Sequence, residues 1–247
     1  MRKIRLSQIL PERIPGPGAW FYSNVPGRIF RSAQDRLATM VDEFLPKDAR
    51  LLIDVGSGPG SLSIGIAKRR PGLRVVGVDL SGTMVRIARR NAGAISNLEF
   101  RRENAARLSV EDGSADMIVS SESMHHWRKP VAVLDEFHRV LRPGGRAWIF
   151  DGRDDFGEAD QKEWFSGAPS WLKTRPALAL QRRILRTHGF TPSEWESLLP
   201  SLVERSRFGE GRIDLVGIYR RLELVRGESA RERAGAPKTS SPSGTSI

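Results

Sequence analysis

Between residues 51 and 151 the spacing of hydrophobic positions switches repeatedly between two periods. The runs LLIDV (51–55), LRVVGVD (73–79), LEFRR (98–102), ADMIVS (115–120) and RAWIFD (146–151) are short and β-rich, and each predicts a strand. The intervening stretches predict helices over about 60–69 and 82–92 and over PVAVLDEFHRVL, where Val131, Leu134, Phe137, Val140 and Leu141 share one face. Strand–helix alternation implies a parallel sheet with crossover helices, hence a doubly wound α/β core.

Both flanks depart from that rhythm. Upstream, the Pro/Gly-rich IPGPGAWFYSNVPG precedes a helical pattern in which Ile29, Phe30, Ala33, Leu37, Met40, Val41 and Phe44 recur at steps of three and four. Pro46 closes it. Downstream, 152–170 is polar and turn-rich, and a helix is expected over 171–188, ending at Gly189. A further short helix is expected at 193–199, with Ser193 and Glu196 as a capping box. The runs 202–208 and 213–222, joined by GEGR, predict a hairpin. The expected organisation is a helical N-terminal cap over 1–46, a main domain over 47–225 and a disordered tail over 226–247.

Composition narrows the chemistry. The 247 residues include no cysteine, which excludes disulfides, Cys-ligated metals and a Cys nucleophile. The 40 basic residues outnumber the 29 acidic ones to give +11, but the arginines are scattered rather than gathered into a block. Nucleic acid therefore stays open as a partner without being singled out. No apolar run is long enough for a membrane span or a signal peptide, so a cytoplasmic protein is expected.

The main chemical signal is LLIDVGSGPG. Asp54 sits in the first strand, and Gly56, Gly58 and Gly60 form a turn leading into a helix. Such a turn brings free N–H groups and bare backbone to a ligand at the carboxyl end of the sheet. A dinucleotide fingerprint would need glycine where Ser61 stands. The acid two residues before the first glycine would also repel a pyrophosphate, whereas it would favour a ligand carrying an ammonium group. Asp79 ends the second strand, 19 residues after Gly60, where a carboxylate accepts hydrogen bonds from ribose hydroxyls. Leu80 is placed to pack on an adenine face, and Ser81 to cap the next helix.

These segments, with DMIVSSESMHHW and FHRVLRPGGRAWIF, resemble the class I S-adenosylmethionine-dependent methyltransferases over about residues 50–151, with a weaker echo in RTHGF (186–190). The resemblance is strongest to the group that methylates small molecules, including quinone-biosynthesis enzymes. It implies a seven-stranded, Rossmann-like, mostly parallel sheet whose last strand is antiparallel, with S-adenosylmethionine as cofactor. It further implies that Asp54, Gly56, Ser57, Gly58 and Gly60 hold the methionine part and Asp79 the ribose. Asn104, followed by Ala105, stands where the family usually has an acid facing the adenine amino group, and an Asn oxygen can also accept there. Ser120 and Ser121 should border the cofactor's amino-acid end.

Methyl transfer from a sulfonium requires alignment, and a base only where the acceptor must lose a proton. His125 and His126 follow the fourth strand and are candidate bases, with pocket-shaping as the alternative role; Trp127 is expected to wall the pocket. Asp151, Asp154 and Asp155 could in principle hold a metal, but SSE at the end of strand four lacks the matching aspartate, and no metal is expected. His138 is expected to be structural, and His188 to sit at a helix C-terminus. The segments 1–46 and 152–170, with Trp20, Phe21, Tyr22, Phe156, Trp164 and Phe165, are expected to form a lid over the acceptor. A small-molecule acceptor is the first expectation. Ribosomal or transfer RNA and a catalytically silent partner subunit are the alternatives, and the oligomeric state is left open.

Overall fold

The computed structural model describes residues 31–153, 155–167, 170–179, 183 and 190–227. The aromatic stretch around Trp20, residues 184–189 with His188, Asp154 and the tail beyond 227 lie outside the described residues. Seven strands form one sheet: β1 (Leu51–Val55), β2 (Arg74–Asp79), β3 (Leu98–Arg102), β4 (Ala115–Ser121), β5 (Leu141–Gly152), β6 (Arg212–Val216) and β7 (Tyr219–Val225). Their order is β3-β2-β1-β4-β5-β7-β6. The first five are parallel, and β7 runs antiparallel both to β5, from Arg146↔Val225 to Gly152↔Tyr219, and to β6. Strand order reverses between β1 and β4, which opens a crevice at the carboxyl ends of those strands.

Strand alternation sorts side chains to the two faces. Leu52, Val75, Met117, Trp148 and Phe150 face a core shared with α1 (Arg31–Phe44) and α2 (Ser61–Arg69), through Leu37, Val41 and Ile66. Ile53, Val76, Ile118 and Ile149 face α4 (Pro130–Val140), which buries Val133, Leu134, Phe137 and Val140. The third helix, α3 (Gly82–Ala92), is capped by the Ser81 hydroxyl and packs Val85 and Ala88 on Phe100. Arg70 ties the two first-face helices together by reaching Asp42 at 2.6 Å and the carbonyls of Leu45 and Pro46 at 2.9 Å. The N-terminal helix therefore belongs to the main core. A short α5 (Glu158–Trp164) follows β5.

Two expectations in the C-terminal third are corrected. The run 202–208 is not a strand: Leu199, Leu202 and Val203 are buried at helical spacing, and α6 (Leu199–Glu204) continues a π-helical turn over Glu194–Leu198. The hairpin is made instead by β6 and β7 around Gly217–Ile218, and the Trp164 ring packs directly over Gly217. The capping box is also two residues earlier than expected. Thr191 Oγ1 accepts from the Glu194 N–H, and the Glu194 carboxylate accepts from the Thr191 N–H, so the box is Thr191–Glu194 and Ser193 caps nothing with its side chain.

Candidate active site

The loop from β1 to α2 is stitched to the neighbouring strand: the N–H groups of Gly56 and Ser57 donate to the Val78 carbonyl at 2.9 and 3.0 Å. Gly56, Gly58 and Gly60 all have left-handed backbones (φ 74, 52 and 87°). Gly56 has a second reason to be glycine, since a Cβ there would collide with the Ser123 hydroxyl. Gly58 differs in that nothing lies within 4 Å of where its Cβ would be, so its bare backbone borders open space.

Two carboxyls belong to the strands on which this loop is built. Asp54 is buried, its Oδ2 accepts from Ser63 Oγ at 2.5 Å, and burial raises its pKa to about 7 despite that bond. Asp79 accepts from the Gly58 N–H at 3.0 Å through Oδ2 and from the Ser81 N–H at 2.7 Å through Oδ1. Burial raises it too, against the pull of those donors. Each Asp79 oxygen keeps a second lone pair directed at no backbone donor, the arrangement a pair of ribose hydroxyls requires. Leu80 and Ala105 are half-buried beside β2 and β3, and the exposed Asn104 already accepts from the Ala106 N–H at 2.9 Å. Ser57 Oγ and Ser120 Oγ are buried without a partner among the described residues. Ser120 itself is fully buried, so Ser121, on the opposite face, is the serine that reaches the crevice rim. Its hydroxyl accepts from Gln34 Nε2 of α1 at 3.0 Å.

On the far side of β4 lies a second polar group. His125, in a 3-10 turn over Met124–His126, bonds through Nδ1 to Asp151 Oδ1 at 2.5 Å, and its backbone N–H donates to Asp151 Oδ2 at 3.3 Å. The His125 side chain is 3% exposed and that of Asp151 0%. The His126 ring lies 4.0 Å from that of His125, and Trp127 donates to Ser123 Oγ at 3.1 Å while packing edge-on to Phe137. Glu122 completes the group. Its pKa is pushed up to about 8 by burial and then by the Asp151 charge, with His125 pulling the other way.

Sequence reasoning placed His125 and His126 here but took Asp151 only as a metal candidate and passed over Glu122 and Gln34. The acid candidates beyond β5 are otherwise engaged: Asp155 pairs with Arg220 at 2.8 Å and lies 3.5 Å from Arg153. Among the described residues no three acids or histidines are grouped to hold a metal ion. The lid aromatics Phe156, Trp164 and Phe165 are buried in the core beneath α1 rather than lining an opening. They pack the segment after β5 against α1, and on the surface Arg36 reaches Ser166 at 2.8 Å and Glu163 at 3.4 Å. His138 is structural in the way expected, half-buried edge-on to Phe208 with its pKa lowered by burial and then by Arg207 and Arg226.

Residues 53–149, from β1 to β5 and including both carboxyls, the glycine loop and the histidines, match the family described as Methyltransferase domain. This segment is a class I methyltransferase domain. Its family uses S-adenosylmethionine, and the open space at Gly58, whose N–H donates to Asp79, fits that cofactor. A demethylmenaquinone methyltransferase of Thermus thermophilus is 33% identical over 112 residues, covering 45% of this chain and 51% of that one. A Methanococcus maripaludis structure assigned to the S-adenosyl-L-methionine-dependent methyltransferases superposes with TM-score 0.69 at 21% identity, covering 87% of this chain and 95% of that one. The plantazolicin methyltransferase BpumL, solved with a desmethyl substrate analogue and SAH, superposes with TM-score 0.58 at 17% identity over 85% of this chain and 89% of that one. The methyltransferase domain thus has its sheet in common with these structures, while the chain matches only about half of the curated relative's length. Among the described residues no helix is long and apolar enough to cross a membrane.

Proposed function

We propose that this chain transfers a methyl group from S-adenosylmethionine to an O, N or C atom of a small-molecule acceptor, with His125 as the base. The observation that carries this reading is the closeness of the glycine loop to the segment after β4, where a Cβ on Gly56 would meet the Ser123 hydroxyl two residues before His125. The ligand cradle at Gly58, Asp54 and Asp79 lies on one side of β4, and the His125–Asp151 pair lies on the other. When bound, the cofactor supplies a sulfonium methyl group. The protein's own part is to hold both reactants in line and to take the acceptor's proton where there is one to lose.

Asp54 favours the ammonium of the methionine part, and Asp79 accepts from the ribose hydroxyls. Asp151 fixes the His125 ring: with Nδ1–H donated to the carboxylate, Nε2 is the basic nitrogen and faces away from Asp151. An imidazolium formed there is stabilised by the adjacent buried carboxylate. His126 and Trp127 form the pocket wall.

Two observations favour a small acceptor over RNA. The demethylmenaquinone methyltransferase relatives act on a small quinone by name. Many of the basic residues, among them Arg70, Arg139, Arg146, Arg220 and Arg221, are engaged with carboxylates of this same chain. The test is transfer of labelled methyl from S-adenosylmethionine into a small-molecule cell extract and, in parallel, into bulk RNA across a salt series. Label is expected in the extract. His125→Asn should lower the rate about 100-fold or more while leaving cofactor affinity unchanged. Label entering RNA at physiological salt would overturn the acceptor class.

A further inference from the structure

Glu122 carries two features that its neighbours do not explain. Among the described residues it is the one non-glycine with a left-handed backbone, at φ 55°. For an L residue that conformation costs about 1–2 kcal/mol, and such strain persists where the surrounding structure enforces it, often at a ligand site. The enforcement is visible here. The Glu122 N–H extends the β4–β5 ladder by donating to the Phe150 carbonyl at 2.9 Å, and the chain then turns into the His125 segment.

The second feature is the carboxyl itself, whose Oε1 is buried with no partner among the described residues. The donors of the adjoining residues whose bonds are seen point elsewhere. His125 Nδ1 is bonded to Asp151, Gln34 Nε2 donates to Ser121, and Trp127 Nε1 donates to Ser123. A buried acceptor left without a donor costs about 1–3 kcal/mol. The cofactor is not the missing donor, because its ammonium and ribose are matched by Asp54 and Asp79 on β1 and β2, whereas Glu122 stands on the β5 side of β4 with Asp151 and His125.

We propose that Glu122 binds the methyl acceptor, its carboxyl group taking a hydrogen bond from an O–H or N–H donor that the acceptor presents beside the atom to be methylated. This rests on the small-molecule methyltransferase reading above. It specifies the substrate class: a molecule with a hydroxyl or amine donor next to its nucleophilic atom, set between Glu122 and the His125 base. Burial and the Asp151 charge favour the neutral form of Glu122, whose carbonyl oxygen still accepts a hydrogen bond from such a donor.

The test compares wild type with Glu122→Ala and Glu122→Gly, using the small-molecule extract as acceptor source and following three readouts. At dilute extract, both variants should transfer label at least 10-fold more slowly, with the deficit shrinking as the extract is concentrated, as a weakened acceptor site requires. Affinity for S-adenosylhomocysteine should stay within twofold. The Tm should hold for Glu122→Ala and rise for Glu122→Gly, where the left-handed strain is removed. Blocking amines in the extract with sulfo-NHS acetate separates the two donor sources, because loss of wild-type transfer identifies an amine and retention identifies a hydroxyl. Unchanged transfer by both variants overturns the role of Glu122. A joint fall in Tm and S-adenosylhomocysteine affinity also overturns it, in favour of a structural role. Label entering RNA instead of the extract overturns the small-molecule reading beneath it.

Discussion

The two ends of the parallel sheet treat buried carboxyls in opposite ways. At the amino end, Asp116 accepts from the N–H groups of Arg50 and Leu51 at 2.7 and 2.9 Å and from Arg142 Nε at 2.6 Å. Burial alone would raise it, but those donors hold it below the ordinary aspartate range. Glu136, in the middle of α4, is likewise held low against burial by Arg139 and the Leu108 N–H, and Arg139 also binds the Leu108 and Val110 carbonyls. At the carboxyl end Asp54, Asp79 and Glu122 are all raised, burial being the largest cause each time, and no arginine faces them closely enough to reverse it. The carboxyls at the amino end are satisfied by the fold. Those at the carboxyl end have donors too few to offset burial, and on the reading proposed above changes at one end should read out in stability and at the other in binding.

The largest expected contrast sets Gly58→Val against Asp116→Ala. The valine at Gly58 meets no protein atom, yet it occupies the cradle and takes on a left-handed backbone. Calorimetry should show S-adenosylhomocysteine binding abolished, while stability falls by only about 1–2 kcal/mol. Asp116→Ala strands the Leu51 N–H and the Arg142 guanidinium. Urea denaturation should show a loss of about 2–4 kcal/mol, with ligand affinity unchanged. If Gly58→Val destabilises more than Asp116→Ala does, the contrast fails.

The Asp54 pKa gives a subtler prediction. Because its folded value of about 7 lies above the ordinary 3.8, its contribution to stability is complete below 3.8 and lost as pH rises toward 7. Ligand affinity must run the other way, since the cofactor's ammonium favours the ionised carboxyl. Between pH 5.5 and 7.5, S-adenosylhomocysteine affinity should rise about tenfold in the wild type and stay nearly flat in Asp54→Asn. Equal slopes in the two proteins would place the ammonium elsewhere.

The two halves of the crevice were not equally legible in the sequence. The cofactor half was, because its residues sit within one strand–turn–helix and at the end of the next strand, where chain order and spatial order coincide. The acceptor half was not. His125 and Asp151 are 26 residues apart and meet only because β4 and β5 pair in a register that brings their carboxyl ends together. The left-handed turn at Glu122 has no composition signal, since glycine, the residue that would announce it, is absent there. In the C-terminal third the error was one of period. LVERSRF alternates well enough to pass for a strand, while the helical step from Leu199 to Leu202 and Val203 begins outside that window. Thr191 and Ser193 offer comparable caps, and it was the Glu194 carboxylate, three residues after Thr191, that decided between them.

The smallest effect is expected where the two halves are roofed. Gln34 lies beside the buried stripe of α1, next to Ala33 and one turn before Leu37, so its polarity within an otherwise apolar face was the available signal. Its amide donates to Ser121 Oγ at the end of β4, between the Gly58 cradle and the Glu122–His125 group. The bond is partly exposed and neutral, worth about 1 kcal/mol. Gln34→Ala should therefore lower stability by about 1 kcal/mol at most and leave S-adenosylhomocysteine affinity within about twofold, because the Ser121 hydroxyl itself is kept. Its effect should appear in transfer: a rise of about two- to fivefold in the extract concentration needed for half-maximal rate, with the maximal rate kept, as α1 loses a polar tie to the end of β4. A Gln34→Ala protein with a reduced maximal rate and unaltered half-saturation would instead make α1 part of the reacting geometry, and an unaffected protein would remove it from the acceptor site altogether.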